Sequence, residues 1–399
     1  MNIYEPREDS YLLQKQVAKY ATGCVLDVGT GSGIQALTAV KNSNVRDVIA
    51  IDINEDAIKK LDKIIKENKI RKLKVLKSNL FENISTKFDI IIFNPPYLPH
   101  DKDIEDPALY GGKKGWELSE KFLQSVSKYL VPHGKILFLF STLTNKDKIE
   151  EIITHNLLKF KQISSQKLAF EELFVYEITK TQLLRELERQ ELENIHYLTS
   201  GKRGTIYIGI LEKSKRIKTH FAKKQSIKVG IKTKKEDSNA QNTIANEAYW
   251  MRTLNKHGIG PKYLFHSKNY VVYEFVKGQF ILDWIESHKK TEIIATLKQI
   301  LNQCYQLDKL QVNKEELHHP YKHILVTKEN NAIMLDFERC SKTEKPQNVT
   351  QCIEFFTRIE QELAKTKIIL DKQTLRRLAQ EYKDTYAQNA FKDILKQLQ

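Results

Sequence analysis

Cysteine is scarce: Cys24, Cys304, Cys340 and Cys352 are the only four in 399 residues. None forms a CxxC pair, which argues against a disulfide framework and against a zinc site built within the chain. Reduced thiols in a cytoplasm are the expectation. Long apolar runs are missing too. The longest, such as Ile90–Phe93 and Ile136–Phe140, fall far short of the roughly 18 residues of a membrane span. The opening segment, Met1 to Asp9, is acidic and lacks the charged-then-apolar layout of a secretory signal. These absences predict a cytoplasmic protein without membrane contact. Glycine is also sparse, at 15 residues, yet eight fall in three clusters: Gly29/Gly31/Gly33, Gly111/Gly112/Gly115 and Gly201/Gly204. Clustered glycine marks backbone that needs positive φ or close approach to a ligand.

What is present suits two or three globular domains, with 41% hydrophobic and 29% charged residues. The net charge of +15 is uneven. Residues 1–180 hold 27 basic and 24 acidic side chains, whereas 181–399 hold 38 and 26, and 201–240 alone hold 12 and 3. Such a field favours polyanions, among them ATP and RNA. Solvated lysine-rich faces would give the same count.

Up to residue 180, short β-rich runs (Cys24–Val28, Val48–Ile51, Leu73–Leu76, Asp89–Phe93, Lys135–Phe140) alternate with helical patterns such as Glu55–Asn68 and Leu118–Leu130. That alternation predicts a parallel sheet covered by helices. Runs near Phe160–Ser164 and Phe174–Ile178 read as an antiparallel hairpin closing it. Thr181–Asn194 is a charged helical stretch, and the change of pattern places a domain boundary before it, giving domains 1–180 and 181–399. The second reads as α+β: strands over His196–Leu211, Ser226–Ile231 and Tyr270–Phe275, a helix over Asn242–Asn255, then mostly helix.

The run Val25 to Gly33 (VLDVGTGSG) is a buried strand entering a glycine turn and a helix, whose free N–H groups suit a cofactor. Gly31-x-Gly33-x-x-Ala36 also reads as a dinucleotide fingerprint. Asp27, at the strand–turn junction, suits a cationic ligand better than a pyrophosphate. Asp52, ending the next strand, can accept from ribose hydroxyls. Asn94-Pro95-Pro96-Tyr97 follows a strand at the sheet's ligand-binding edge. The Asn94 side-chain oxygen and the Pro95 carbonyl form two convergent acceptors that suit a planar NH2 group, and Tyr97 can pack against it.

These motifs resemble HemK-like class I S-adenosylmethionine methyltransferases. Tyr4-Glu5-Pro6-Arg7-Glu8-Asp9-Ser10 and Pro107–Glu117 (PALYGGKKGWE) are similar to the archaeal and eukaryotic branch. That branch methylates the glutamine of the GGQ motif in class I peptide-chain release factors. The resemblance covers residues 1–180. It implies a Rossmann-like fold, cofactor contacts at Ser10, Asp27, Gly29, Asp52, Asn79, Leu80 and Asn94, and a small zinc-binding activator as partner. Asn79 stands where the family usually has Asp, which removes charge assistance to the adenine amine. NPPY also serves N6-adenine methyltransferases, so adenine in RNA or DNA competes as acceptor, with the basic second half as a docking module for nucleic acid or ribosome.

In the second half, Gly201 and Gly204 sit in a turn between two strands. Val229-Gly230-Ile231-Lys232 is followed fifteen residues on by Glu247 in a helix, and Ile333 to Phe337 forms a strand ending in Asp336-Phe337. This assembly resembles small atypical kinases of the RIO and Bud type, over about 195–345. The resemblance implies ATP near Gly201, Gly204 and Lys232, a Lys232–Glu247 pair, and Mg on Asp336. The catalytic-loop positions hold His318 and His323 in place of Asp and Asn, and Glu338 replaces the glycine after Asp-Phe. His318, or Glu315 or Glu316 nearby, is left as the candidate base.

Overall fold

A computed structural model describes residues 3–99, 109–201, 204–213, 225–234, 243–315 and 317–399. Lys202, Arg203, Pro107, Ala108, Glu316 and much of the basic 201–240 stretch lie outside the described residues. The chain divides into two compact units, Met1–Tyr197 and Leu198–Gln399. Among the described residues no helix is long and apolar enough to cross a membrane.

The first unit runs α1 (Glu8–Tyr20), β1 (Gly23–Val28), α2 (Ile34–Ala39), β2 (Val45–Asp52), α3 (Glu55–Glu67), β3 (Leu73–Lys77), β4 (Phe88–Phe93), β5 (Leu98–Pro99) and β6 (Tyr110–Gly112). It continues with α4 (Glu117–Ser125), β7 (Leu130–Ser141), α5 (Lys146–His155), β8 (Leu158–Lys167), β9 (Glu172–Lys180) and α6 (Gln182–Arg189). Seven strands form one sheet ordered β3-β2-β1-β4-β7-β9-β8. The first five are parallel, and β9 pairs antiparallel with both β7 and β8, as the hairpin pattern predicts. The near-continuous apolar runs are explained by burial on both faces. Along β7, Leu137 and Leu139 join Val25, Ile90, Leu13 and Ala36 on one face. Phe138 and Phe140 point the other way, into an aromatic column with Phe93, Phe122 and Phe174, centroids 4.3–6.2 Å apart. Helix α6 belongs to this unit. Thr181 caps it, accepting from the Leu184 N–H, Leu184 and Leu187 are buried, and Glu188 pairs with buried Lys180 at 2.7 Å. The change of pattern at 181 therefore precedes the division of the chain.

The division falls within β10 (Leu192–Ser200), the first strand of a five-stranded sheet. It continues through β11 (Gly204–Lys213), β12 (Gln225–Lys234), α7 (Thr243–Leu254), β13 (Tyr263–His266) and β14 (Tyr270–Glu274), in the order β10-β11-β12-β14-β13. There follow β15 (Gly278–Phe280), α8 (Ile281–Ile285), α9 (Lys290–Lys309), β16 (Val312–Asn313), β17 (Ile324–Thr327), β18 (Ala332–Met334) and β19 (Ser341–Lys342). The last elements are α10 (Asn348–Arg358), α11 (Glu360–Lys365), α12 (Lys372–Thr385) and α13 (Gln388–Lys396). Buried Asp308, on α9, ties the helices together. It accepts from Asn348 Nδ2 at 2.7 Å, the Val349 N–H at 3.2 Å and the Tyr382 hydroxyl at 3.1 Å. Four short strands break up this mostly helical stretch, and β18 overlaps the start of the strand expected over Ile333–Phe337.

Candidate active site

The glycine turn after β1 owes its shape to two carboxylates. Gly29 and Gly31 have φ of 62° and 51°, in the left-handed region that favours glycine. Asp27 accepts from Thr30 Oγ1 at 2.6 Å and from the Ala36 N–H at 3.1 Å, at the start of α2. Asp52 accepts from the Gly31 N–H and the Asn54 N–H, both at 2.8 Å. Burial pushes the Asp27 carboxyl up to about 7, and the nearby Asp52 charge adds to the shift.

The acceptor side begins where β4 ends. Asn94 Nδ2 donates to Asp9 Oδ2 at 2.8 Å, and the Tyr4 hydroxyl donates to Asp9 Oδ1 at 3.0 Å. Asp9 thereby fixes which way the Asn94 amide points. The Asn94 Oδ1 that results is buried and has no hydrogen-bond partner among the described residues. Tyr97 is held above the usual phenol range by burial and by the surrounding acids, Asp9 and Glu171 among them. The second glycine cluster has a steric reason. A Cβ on Gly111 would lie 2.6 Å from the Pro96 carbonyl oxygen, and one on Gly115 2.6 Å from that of Tyr97. The segment can lie against Asn94–Tyr97 only without side chains.

These elements enclose a cavity of about 520 Å3, within the usual size of ligand pockets. Ser10, Asp27, Gly29, Gly31, Asp52, Asn79, Leu80, Asn94, Pro95 and Tyr97 all line it. Gly33 does not. It packs under α3, where a Cβ would meet Leu61 at 2.6 Å. Asn79 donates to Glu82 at 3.0 Å, and Leu80 takes a positive φ of 47°. Among the lining residues whose roles the sequence did not reveal are Asp9, bonded to Asn94 across 85 positions, Tyr4, which bonds Asp9, and Gln35. Gln35 donates to the Ser10 carbonyl at 2.9 Å and leaves its buried Oε1 without a partner among the described residues.

In the second unit, Lys232 Nζ lies 2.5 Å from Glu247 Oε2, 2.9 Å from Asp336 Oδ1 and 3.2 Å from Glu338 Oε2. Burial works against the Lys232 charge, but the three carboxylates overcome it and hold its pKa above the usual lysine range. Burial raises Glu247. Burial also opposes the Asp336 charge, but Lys232 and Lys314 outweigh it and lower the pKa. His323 Nε2 is 3.7 Å from Asp336 Oδ2, and buried Lys314 donates to the Asp336 carbonyl at 2.5 Å. The Gly201 N–H donates to the Gly204 carbonyl at 2.9 Å, and a Cβ on Gly204 would lie 2.7 Å from the Thr233 carbonyl oxygen, beside Lys232. Among the described residues no hydrogen bond or ion pair joins His318 to this cluster. Its ring meets that of His319 at 4.8 Å, and its carbonyl accepts from Arg358. Glu247, Asp336 and Glu338 each bring an oxygen within 4.8 Å of the others, a spacing able to hold a cation, but the Lys232 ammonium lies among them. The opening beside Asp336 measures about 10 Å3, room for one water. Glu338 and Lys314 are the members the sequence did not reveal.

Residues 8–168 match the family model of the methyltransferase small domain. The chain is 37% identical over 180 residues to a candidate protein N5-glutamine methyltransferase of Methanocaldococcus jannaschii, spanning 43% of this chain and 89% of that one. It is 36% identical over 124 residues to a release factor glutamine methyltransferase of Streptococcus pneumoniae, spanning 28% of this chain and 43% of that one. It spans about a quarter of the bifunctional methyltransferases of Rickettsia that it matches. The E. cuniculi Mtq2–Trm112 structure aligns at 23% identity with a TM-score of 0.38, over 45% of this chain and all of that one.

The first unit is a class I, Rossmann-like methyltransferase that uses S-adenosylmethionine. Through it the chain belongs to the methyltransferase small-domain family, with protein glutamine N5-methyltransferases among its relatives. The dinucleotide reading of the glycine turn falls away. The cavity suits the cofactor: two carboxylates for its cationic and hydroxyl groups, and buried oxygens without partners.

Proposed function

We propose that the first unit methylates the side-chain amide nitrogen of a glutamine in a class I peptide-chain release factor. The orphaned Oδ1 of Asn94, turned by Asp9, carries this reading. An unpaired buried acceptor is costly, and an amide N–H repays that cost. Asp27, Asp52, Ser10, Gly29, Gly31, Asn79 and Leu80 would hold S-adenosylmethionine, which supplies an electrophilic methyl when bound. Asn94 Oδ1 and the Pro95 carbonyl would accept hydrogen bonds from the two amide N–H groups. Held so, the nitrogen turns its lone pair out of conjugation and toward the methyl side; the N–C bond would form as the methyl–sulfur bond breaks, releasing S-adenosylhomocysteine, and one amide proton would pass to solvent. Tyr97 packs against the amide plane. A small zinc-binding activator is part of the proposal.

The test is intact-mass analysis of a release factor incubated with this protein and S-adenosylmethionine, with and without such an activator. One added methyl, lost in Asn94→Ala, is expected. Methyl transfer to adenine in RNA or DNA, with none to protein, would overturn the reading in favour of a nucleic-acid enzyme that docks through its basic half.

A second reading concerns the other unit: a kinase-like module that binds ATP, with Lys232 on the phosphates and Asp336 on Mg. The buried Lys232–Glu247 pair at 2.5 Å supports it. With no bond joining His318 to the cluster among the described residues, nucleotide binding is better supported than phosphoryl transfer by that histidine. ATP binding that survives Lys232→Ala would refute it.

A further inference from the structure

The acceptor side of the first unit's cavity carries two side chains that cofactor binding leaves unused. β8 and β9 are joined by a turn in which the Leu168 N–H donates to the Glu171 carbonyl at 2.8 Å. Near its tip Phe170 is 94% exposed, the most exposed large apolar side chain described. Its neighbours Leu168, Glu171 and Leu173 line the cavity. A lone exposed apolar residue is ordinary on a protein surface. Phe170 differs in where it stands and in how its turn is held. Ser141 Oγ donates to the Glu171 carboxylate, and the Glu172 N–H donates to Thr142 Oγ1 at 3.0 Å. Two residues on, Thr144 Oγ1 donates to the Tyr97 carbonyl at 3.5 Å. The turn is therefore tied to the segment that carries Asn94, and half-exposed Leu143 lies in the same tie.

The charge of the cavity wall selects among acceptors. Among the described residues, Glu8, Asp9, Asp27, Asp52 and Glu171 line it against a single cation, Arg7. Asp27 and Asp52 serve the glycine turn, and Asp9 serves Asn94 and Tyr4. Glu171 has no cationic partner among the described residues. A carboxylate so close to the acceptor repels a phosphate backbone and attracts an ammonium or guanidinium.

Resting on the protein-glutamine reading above, we infer that the Leu168–Glu171 turn recognises the acceptor peptide. Phe170 packs on an apolar side chain, and Glu171 pairs with a Lys or Arg, in the stretch flanking the modified glutamine.

The full chain, saturated with S-adenosylhomocysteine, is titrated by fluorescence anisotropy with three synthetic peptides. Each has a central Gly-Gly-Gln, flanked by Leu and Lys, by Leu and Glu, or by Ser and Lys. The wild type is expected to bind the Leu/Lys peptide at least tenfold more tightly than the Leu/Glu peptide. Glu171→Gln should erase that preference and Glu171→Lys reverse it. Phe170→Ala should weaken the Leu/Lys peptide by about tenfold and leave the Ser/Lys peptide within twofold. Unchanged S-adenosylhomocysteine affinity in each variant establishes an intact cavity. Equal binding of the Lys and Glu peptides by the wild type, or a preference that persists in both Glu171 variants, overturns the inference while leaving glutamine methylation standing. Adenine methylation with no peptide binding overturns both.

Discussion

The two units each gather acidic side chains at one point, and they treat them in opposite ways. In the first, buried polar atoms are left without partners around a cavity of about 520 Å3. In the second, three carboxylates close on one lysine, and the opening beside Asp336 and Glu338 measures only about 10 Å3. An open site stores its unpaired groups for a ligand, while a closed one satisfies them internally. Burial alone does not separate the two, since Asp27 and Glu247 are equally buried.

Breaking the closed site has the largest expected effect. Lys232→Met leaves Glu247 buried with no cation, and losing one partner of a buried pair costs about 3–5 kcal/mol. Calorimetry of the full chain should show a transition that moves down most steeply in this variant. Asn94→Ala is the counterpart in the open site. It removes the unpartnered Oδ1, but with it the Nδ2 that donates to buried Asp9, so stability should fall by about 1.5–3 kcal/mol, less than in Lys232→Met. Turnover should fall about 100- to 1000-fold, the usual loss when one preorganised transition-state hydrogen bond is removed. S-adenosylhomocysteine titration should show cofactor affinity retained. A stability loss in Asn94→Ala as large as that in Lys232→Met would mean that the first site is not open in the sense argued.

Much of this contrast was legible in the sequence, because local pattern controls it. The strand–helix alternation, the closing hairpin, the Asp27–Gly31 turn and the Lys232–Glu247 pairing each follow from period, turn residues or a motif of short span. What escaped depends on contacts between distant residues. Nothing near Asn94 announces that Asp9 orients it. Glu338 reads as a departure from a glycine and proves to be a third partner for Lys232. The second glycine cluster is recognisable, but its cause, the backbone of Pro96 and Tyr97, needs three dimensions. His318, expected as the base, makes no bond to the cluster among the described residues, because a motif fixes spacing along the chain and not the direction of a side chain.

Titration sharpens the comparison further. The Asp27 carboxyl sits at about 7 in the folded unit, against about 3.9 for an unfolded aspartate. Between those values the native state holds the extra proton, so its stability should fall as pH rises from about 4 to 7. Asp27→Asn should remove that slope. A cationic ligand favours the ionised form, so cofactor binding at pH 6 should release a proton. Calorimetric titrations in buffers of different ionisation enthalpy measure that release, and a value of zero would place Asp27 away from any cationic group. Gln35→Leu, which removes the cavity's second unpartnered oxygen together with the Nε2 that holds the Ser10 carbonyl, should weaken S-adenosylhomocysteine by about tenfold, the worth of one hydrogen bond.

The smallest structural effect belongs to Glu338→Gln. Lys232 keeps Glu247 and Asp336, at 2.5 and 2.9 Å, and loses only its most distant counter-charge at 3.2 Å. Melting should shift by an amount worth about 1 kcal/mol or less, because an amide still accepts a hydrogen bond at the same point. The functional shift should be larger than the structural one. With one negative charge removed from around the lysine, a phosphate meets less repulsion and a less neutralised ammonium. Affinity for ATP, followed by isothermal titration with Mg present, should therefore rise several-fold over the wild type, and it should vanish when Lys232→Ala is added. A closed cluster that opens to anions on the loss of one carboxylate would mean that the two units differ in how far their charges are already paired. ATP affinity that is unchanged or lower in Glu338→Gln would instead make Glu338 part of the site's own architecture.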